Sequence, residues 1–513
     1  MRITNSMMNN NTKTNINTNK LNEDMINTMI ASGQKITRPS DDPVIAIRAL
    51  RLNSNINEIN QYYEKNIPDA DAWLEITETA LKQTDTTLAS IMESLTTGAS
   101  DDNTAEDRAN ILKDLGAMRD QIYSAGNADY AGRTVFTGYR TGETLTFTEN
   151  TKNLYTMVEN FSADDVERMT YISGGRAVNK ADLTDPASEQ SIQSNDVYRI
   201  RLAYDKLTNG QTRQDGTTAL PDTITVTNAD GTTTSIKVTT KPLTASESDN
   251  DDIYLGKGLD TTAPEAYLIP DTGELILNGA ARTACQGAKG EFSFEYAKEE
   301  FAKNDLRPEH YFACVDKDNI KYNYTEAIPN WIPDFQHQSI SYEISFSQSI
   351  AINTNADEVY THDICRDVDE LIAATQAVVD CDAKIATLEA MQKDPQYEAN
   401  QADIANLLAA ATKERDLLKD KMQKMFSAGL TNFSAYADKT NLALTEAGSM
   451  RARLELTKER VSEQLSSFKT LADENININL TDAGIDLKNA QLALEAAQLA
   501  ASKIAQQTLL NYL

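Results

Sequence analysis

The sequence predicts a multidomain α + β protein. Long, coiled-coil-like helices at the two ends are expected to form a bundle, with a β-rich middle and an additional helical hairpin inserted between them. Apolar residues recur every seven positions near both termini, which is the spacing of helices that wind along a neighbour. Apolar and polar residues alternate over much of residues 141–360, as they do in half-buried strands.

Composition limits the classes of function. The chain has 513 residues, and 40% of them are hydrophobic, an ordinary share for a folded protein. The formal net charge is −29, and because residues 1–60 and 427–513 are each close to neutral, the acidic excess lies between them. A middle this acidic argues against nucleic acid as a partner, since its binders present basic surfaces. No stretch of about eighteen apolar residues occurs, so no membrane insertion is expected.

An abrupt break ends the N-terminal arm. Residues 1–30 contain nine asparagines and only loosely spaced apolar residues. The arm is therefore predicted to be either a disordered tail or a segment that becomes helical only against a partner. Gly33 suits the C-terminal end of a short helix. Pro39 disfavours helix just before it, and Asp42 can cap a new helix with Pro43 at its first position. These four residues are the predicted hinge.

Heptad-spaced helices follow the hinge over residues 41–140. The repeating positions are Ile45, Leu52 and Ile59, and then Ile67, Leu74, Leu81, Leu88 and Leu95. Pro68 lies between the two sets and predicts a kink or a restart. Thr104 and Asp107 form a capping-box pattern, which predicts a third helix that ends at Gly126.

The middle of the chain is predicted to contain two kinds of structure. Segments such as VYRIRLAY and EAYLIPDTGELILN alternate around turn signals, so residues 141–362 are predicted to form one or more β-rich surface domains. Heptad spacing then returns at Ile364, Leu371, Val378 and Ile385. Pro395 separates that helix from a second one, which predicts an antiparallel helical hairpin over residues 363–426.

The C-terminal region mirrors the N-terminal one. A helix over residues 427–475 is predicted to complete a helical rod domain with residues 41–140. The stretch DENININLTDAG separates it from a last helix, which Thr481 or Asp482 can cap. That helix has one apolar seam at Leu487, Ala490, Leu494, Ala497, Ala501 and Ile504, and a second at Ile485, Leu492, Leu499 and Leu513. A helix that is apolar around so much of its circumference is expected to be buried in an assembly.

The two ends are predicted to be assembly arms. Residues 1–40 and 476–513 are each separated from the body by a break, so we expect them to pair with one another. We also expect them to be disordered or partly ordered in the monomer and to become ordered as their remaining apolar surface is buried against other subunits. The predicted assembly interface consists of Leu21, Met25, Leu487, Leu494, Ala497 and Ile504.

No catalytic, metal or cofactor site is predicted. The histidines, His310, His337 and His362, are too far apart for the two-histidine helical turn of zinc proteases. His362 and Cys365 have a ligand-like spacing but lack a second pair, so packing or capping is favoured over zinc. The acidic stretches SDNDD and DKDN lack the rest of an EF-hand loop, which favours solvated loops over calcium sites. The chain is expected not to be an enzyme.

Motifs at both ends resemble the flagellin family. Near the N-terminus they are MRITNSMM, ASGQKITRPSDDPVIAIRALRL, DADAWLEITETAL and NADYAGRTVFTGY; near the C-terminus they are GSMRARLELTKERV and LKNAQLALEAAQLAASKIAQQTLLNYL. The resemblance covers roughly residues 1–140 and 427–513, with a weaker similarity at INTNADEVYTHDI. MRITN and QQTLLNYL favour the hook–filament junction branch of the family over its filament subunit.

The resemblance implies a structural component of the bacterial flagellum that joins the hook to the filament by ring-like self-assembly through its terminal helices. It also implies contacts with neighbouring hook-associated protein and flagellin subunits, and an export chaperone at the C-terminal helix. The implied location is the extracellular flagellum, reached by type III export without a cleaved signal peptide. A filament flagellin subunit is the alternative within the family. A flagellar surface adhesin is another alternative, because the middle matches no family motif.

Overall fold

The computed structural model describes residues 5–100, 104–176, 178, 189–213, 216–322 and 338–510. The chain divides into two compact units. Unit 1 comprises residues 1–71, 342–350 and 452–513, and unit 2 comprises residues 72–341 and 351–451. Three segments far apart in sequence therefore contribute to unit 1.

Helices begin and end close to the predicted caps and helix-breaking residues. They are α1 (Asn5–Ser32), α2 (Pro43–Gln61), α3 (Ile67–Gly98), α4 (Ala105–Gly126), α5 (Glu247–Tyr254), α6 (Gly279–Gln286), α7 (Ala356–Val359), α8 (His362–Lys393), α9 (Gln401–Ile476) and α10 (Leu480–Leu510). The predicted capping box is confirmed at α4, where Thr104 and Asp107 bond each other's backbone N–H groups. At α10 the cap is Asn479, whose Oδ1 accepts from the Thr481 N–H at 3.0 Å, so the prediction of Thr481 or Asp482 was wrong. Asparagine caps as well as aspartate does.

The kink predicted at Pro68 is a change in helical winding. A π-helical segment, Tyr62–Asn66, joins α2 to α3, and the Ile67 N–H bonds the carbonyl of Tyr62, five residues earlier. Pro68 is the second residue of α3. Proline has no N–H to donate and its ring crowds the preceding turn. A wider π turn directly before it accommodates both effects without ending the helix.

Strands occur throughout the stretch between α4 and α7. They are β1 (Asp129–Tyr130), β2 (Arg133–Thr134), β3 (Thr151–Phe161), β4 (Val166–Ser173), β5 (Gln193–Arg201), β6 (Thr223–Thr227), β7 (Thr233–Thr240), β8 (Glu265–Ile269), β9 (Glu274–Leu277), β10 (Phe292–Phe301), β11 (Ala313–Val315), β12 (Lys321–Tyr322), β13 (Ser341–Ser345) and β14 (Gln348–Ala351). The predicted β-rich middle is confirmed.

In unit 1 the two terminal helices pair with each other. α1 packs along α10, and Asn19 Nδ2 donates to the Ala493 carbonyl at 3.2 Å. Nearer the body, Gln34 and Asn477 form an antiparallel bridge. As the chain advances from Asn19 to Gln34, its partner recedes from Ala493 to Asn477, so the two helices are antiparallel.

The rest of unit 1 is a helical core with one small hairpin beside it. Ile59, Leu454 and Val461 are each about 1% exposed. Tyr62 in the π segment meets Phe346 of the β13–β14 hairpin edge-on, with ring centroids 5.8 Å apart. Ile59 is one of the heptad positions that predicted the core side of α2.

A six-stranded sheet organises unit 2, in the order β4-β5-β9-β8-β7-β6. Its pairs are antiparallel except β7 with β8, which are parallel. A second sheet has the order β10-β3-β11-β12. The PDTG turn between β8 and β9 needs its glycine, because Gly273 has φ = +64° and an added Cβ would lie 1.9 Å from the Tyr204 carbonyl oxygen.

Long helices complete unit 2. The predicted heptad residues of α3 and α8, from Leu74 to Leu95 and from Ile364 to Ile385, are all buried, and α4 packs against α8. The boundary predicted at residues 426/427 lies inside α9, which continues without a break. Gly429 does not end the helix there, because the absence of a Cβ lets Leu95 and Leu371 pack close to its backbone, with their methyl groups 3.4 and 3.6 Å from the position a Cβ would occupy.

The predicted fold class, multidomain α + β with long terminal helices and a β-rich middle, is confirmed. The predicted hairpin corresponds to α8 and the first part of α9, joined by a 3₁₀ turn at Pro395–Asn400. A search of the described residues found no helix long and apolar enough to cross a membrane.

Candidate assembly surface

Gly33 ends the first arm helix. It follows Ser32, the last residue of α1, and has φ = +72°, a left-handed conformation that glycine adopts without steric cost. The chain then leaves the helix axis and turns towards the second break. Glycine at this position permits that change of direction.

A tight turn around Pro39 leads into the next helix. The Asp41 N–H donates to the Arg38 carbonyl at 3.0 Å, which places Pro39 at the second position of the turn, where its fixed φ is favoured. The Asp41 carboxylate accepts from the N–H groups of Arg38 at 2.8 Å and Thr37 at 3.1 Å. These bonds, that from Arg38 foremost, lower the pKa of Asp41.

Asp42 caps α2. Its Oδ1 accepts from the N–H groups of Val44 at 2.8 Å and Ile45 at 3.2 Å, while Pro43 occupies the first helical position. Two donors that would otherwise have no partner are satisfied, and proline is placed where its missing N–H costs nothing. The predicted hinge residues therefore all lie in one short segment that runs from the end of α1 to the first residue of α2.

The two breaks meet in a clasp, which we define as residues 33–35 with residues 476–478. The Lys35 N–H donates to the Ile476 carbonyl at 2.7 Å, and the Ile478 N–H donates to the Gly33 carbonyl at 3.0 Å. The Lys35 ammonium group bonds the Glu474 carbonyl as well. Because the clasp joins the bases of both arms, a movement of one arm base must move or break its bonds to the other.

Above the clasp, α1 and α10 bury matching heptad faces. On α10 the heptad positions Ala483, Leu487, Ala490, Leu494, Ala497, Ala501 and Ile504 are less exposed, as is Gln491 beside them, and on α1 the less exposed heptad positions are Thr12, Ile16, Asn19, Glu23, Ile26 and Ile30, with Met29 beside them. Both sets advance by alternating steps of three and four residues, as in a coiled-coil contact. The α1 face carries Thr, Asn and Glu at three positions, so the pair buries little apolar area per turn.

The predicted interface residues divide into two sets. Leu487, Leu494, Ala497 and Ile504 lie on the half-buried face of α10. Leu21 and Met25 are 70% and 54% exposed on α1. α10 has further exposed apolar residues at Ile485, Leu492 and Leu499. We call these five exposed side chains the exposed arm residues: Leu21, Met25, Ile485, Leu492 and Leu499.

A comparison with known protein families matches the part of the chain that contains α1. Residues 3–141 match the bacterial flagellin N-terminal helical region. This is a flagellin-family N-terminal region. The resemblance predicted from the N-terminal motifs is thereby confirmed.

Curated relatives are similar to this chain over a limited stretch. Flagellar hook-associated protein 3 of Salmonella typhimurium is 31% identical over 113 residues, 22% of this chain and 35% of that protein. The protein of the same name from Escherichia coli is 31% identical over 121 residues, 23% of this chain and 38% of that protein. The similarity therefore spans little more than a third of each relative.

A solved structure shows a weaker similarity. The flagellar junction protein FlgL of Legionella pneumophila aligns over 84% of this chain and 99% of its own length, at 11% sequence identity and a TM-score of 0.25. Similarity at that level does not establish a shared arrangement of domains.

The described histidines have packing roles. His362 lies against Tyr204, Tyr311 and Phe312, with ring centroids 4.6 to 5.1 Å apart. His310 Nε2 bonds the Thr144 carbonyl at 3.1 Å. Burial lowers the pKa of both imidazoles to about 3. His337 lies outside the described residues, and among the described ones no group of three or more His, Cys, Asp and Glu side chains is arranged to hold a metal ion.

Unit 2 also contains a charged cluster that the sequence reasoning missed. Arg199 and Arg201 alternate on β5 and so project from the same face. The guanidinium of Arg199 bonds Glu370 at 2.8 Å, and that of Arg201 bonds Asp367 at 2.6 Å. These four residues, which we call the clamp, join the six-stranded sheet to α8. The VYRIRLAY alternation was a signal for the shared face, but nothing in the sequence identified the partners on α8.

Proposed function

We propose that this chain is a structural protein of the bacterial flagellum that joins the hook to the filament, and that its copies assemble into a ring through α1 and α10. The observation that carries the proposal is the set of exposed arm residues, two of which lie within a flagellin-family region. The curated relatives, both named hook-associated protein 3, favour the junction role over the filament subunit.

Apolar burial supplies the driving force in this proposal. Full burial of a leucine side chain contributes roughly 1.5–3 kcal/mol, and two apolar side chains on α1 and three on α10 would be covered at once in a ring. That gain must exceed the cost of fixing two subunits and ordering their arms. Exposed apolar patches on otherwise soluble proteins commonly mark such interaction sites.

The same surface accounts for the other proposed partners. Copies of the chain, neighbouring hook-associated proteins and flagellin subunits would cover the exposed arm residues in the assembled flagellum. Before assembly, an export chaperone would cover Ile485, Leu492 and Leu499 on α10. The proposed location is the extracellular flagellum, reached by the flagellar export apparatus without a cleaved signal peptide, and the proposed role is non-enzymatic.

The first test replaces exposed leucines of α10. The double variant Leu492→Asp, Leu499→Asp should leave a folded monomer but reduce filament attachment at least tenfold, because charged groups resist burial at a subunit contact. The measurement is the fraction of hooks that carry filaments, counted by electron microscopy in cells with the variant in place of the wild-type gene. Leu442→Asp is the matched control, because Leu442 is 61% exposed on α9 and Leu499 is 60% exposed. Normal attachment in the double variant would contradict the proposal.

A second substitution separates the two faces of α10. Leu494 lies on the half-buried face, so Leu494→Asp should detach α10 from α1 and give a folded but assembly-incompetent monomer. Circular dichroism should then show a loss of helix that the Leu492/Leu499 variant does not show. The filament-subunit alternative is tested by abundance, since a junction protein occurs only at one end of a purified filament.

A further inference from the structure

A cleft in unit 2 lies between the six-stranded sheet and the two long helices that pass it. It has a volume of about 530 Å³, within the range of small-molecule sites. Strands β4, β5 and β9 contribute one side through Met169, Arg199 and Glu274, and α8 and α9 contribute the other through Ala374 and Lys421. The assembly proposal makes no use of this cleft.

Lys421 lines the cleft without a partner of its own. Among the described residues its ammonium group has no hydrogen bond and no ion pair within 4 Å, although the side chain is half-buried. The charged groups that face it are Arg199, Glu274 and Glu370. Burial, followed by repulsion from Arg199, lowers the pKa of Lys421. The carboxylates of Glu274 and Glu370 do not offset this lowering of the Lys421 pKa, because they already bond Arg199.

Arg366 is a second cation in the cleft with unused donors. It is 8% exposed and donates through Nη2 to the Thr272 carbonyl at 2.6 Å. Its buried Nε has no hydrogen-bond partner, and the described part of the chain provides no carboxylate within salt-bridge distance. A buried guanidinium normally has a paired acid. The clamp arginines follow that rule and Arg366 does not.

The rest of the lining combines an aromatic stack and an apolar wall with further charged groups, which include three aspartates, Asp205, Asp271 and Asp369. Tyr171 and Tyr254 stack with ring centroids 4.4 Å apart and an interplanar angle of 18°. Their hydroxyl groups donate to the carboxylates of Asp251 at 2.9 Å and Glu274 at 3.1 Å, respectively. Three alanines of α8, at positions 373, 374 and 377, add small apolar surfaces. Two cations with free donors thus share a cleft with an aromatic stack and an apolar wall.

We propose that this cleft binds a small organic monocarboxylate, with its carboxylate on Lys421 and Arg366 and a ring or apolar body against the Tyr171–Tyr254 stack and the alanines of α8. A single negative charge matches the site, because the carboxylates of Glu274 and Glu370, together with those of Asp205, Asp271 and Asp369 in the same lining, would repel a more highly charged anion. An arginine and a lysine together recognise a carboxylate through charge-assisted hydrogen bonds. The cleft is large enough to enclose one sugar ring or one aromatic ring with its substituents.

The test is calorimetric titration of the purified full-length chain with glucuronate and benzoate, against the neutral matches glucose and benzyl alcohol. At least one carboxylate should bind more than tenfold tighter than its neutral match. Lys421→Gln should weaken that binding at least tenfold. Lys424→Gln is the matched control and should change it less than twofold, because Lys424 lines the same cleft and already pairs with Asp420 at 2.6 Å.

Further measurements decide the remaining outcomes. Ala373→Phe should block binding by filling the cleft, and since Ala373 is exposed, this variant keeps the proposal testable if Lys421→Gln fails to fold. Inorganic phosphate should bind more weakly than the carboxylate; tighter phosphate binding would overturn the assigned ligand class. The proposal also fails if neither carboxylate binds at about 10 mM, or if Lys421→Gln binds as wild type does.

Discussion

Asp42 shows how a single side chain can fix where a helix begins. It accepts two backbone N–H bonds at the start of α2, and its neighbour Asp41 holds the preceding turn through Thr37 and Arg38. The two aspartates therefore have different tasks, although they are adjacent in sequence. One closes the turn that follows the clasp, and the other starts the helix that enters the core of unit 1.

Removal of the cap should destabilise unit 1. We expect Asp42→Ala to lower the free energy of unfolding by about 1 kcal/mol, the usual cost of a lost N-cap. Urea denaturation followed by circular dichroism at 222 nm measures it. Asp42→Asn should stay close to wild type because asparagine caps nearly as well. Equal stability of the alanine and asparagine variants would show that the cap bonds contribute nothing.

Among the elements, α8 is held to the six-stranded sheet by charge as well as by apolar packing. Arg199 and Arg201 bond Glu370 and Asp367, and Asp367 also accepts from Asn432 at 2.9 Å and Tyr436 at 2.8 Å on α9. Burial alone would raise the pKa of Glu370, but the charges of the two arginines outweigh burial and bring it to about 2. The clamp thus connects β5, α8 and α9.

The clamp predicts an acid-sensitive contribution to stability. Because the folded-state pKa of Glu370 is below its unfolded value of about 4.3, its contribution is complete above pH 4.3 and is lost as pH falls towards 2. Glu370→Gln should therefore cost on the order of 2 kcal/mol at pH 7 and progressively less below pH 4. The measurement is urea denaturation of both chains from pH 7 to pH 2.

A control on the same helix separates this effect from a general loss of charge. Glu389 is exposed on α8, so Glu389→Gln should change the free energy of unfolding by less than about 0.5 kcal/mol at every pH. If the difference between Glu370→Gln and wild type stayed constant from pH 7 to pH 2, the ionised clamp would not be its source.

At the scale of the whole molecule, the arms differ from the body in how much apolar surface they bury. Heptad residues of α3 and α8 are almost fully buried, whereas those of α10 are mostly half-buried and the α1 face contains polar residues. A helix pair with so little apolar burial has a low free energy of opening. The arms can therefore be helical in the folded chain and still open more readily than the body.

Hydrogen exchange on the purified monomer measures this difference. Amides of residues 1–35 and 485–513 should exchange much faster than those of the buried parts of α3 and α8, and they should become protected on assembly. The expected order follows from burial, because opening a well-packed helix exposes more apolar surface. Arm amides as slow as those of α8 in a dilute monomer would mean that the arms are already stable without partners.

Several features of the site and fold were predictable because they depend on neighbours in sequence. The end of α1 at Gly33, the start of α2 at Asp42 and Pro43, and the capping box at Thr104 involve contacts within a few residues. The same holds for the heptad positions, since period alone determines which side of a helix is apolar. The exposed surface of the arms could not be predicted from neighbours in sequence alone. Which of the two apolar seams of α10 faces α1 depends on how the two helices are aligned.

The sequence by itself determined the fold class and the breaks that bound α1 and α10, because local propensity and period encode each of them, and its N-terminal motifs indicated the flagellin N-terminal region. Only the tertiary structure decided which α10 seam is covered, that the two breaks join in a clasp, and that α9 runs through residue 427. It also brought Arg199 to Glu370 and placed Lys421 and Arg366 in one cleft. Such partners lie up to several hundred residues apart in the chain. Their contacts depend on how the helices and sheets pack in three dimensions, which no local pattern specifies.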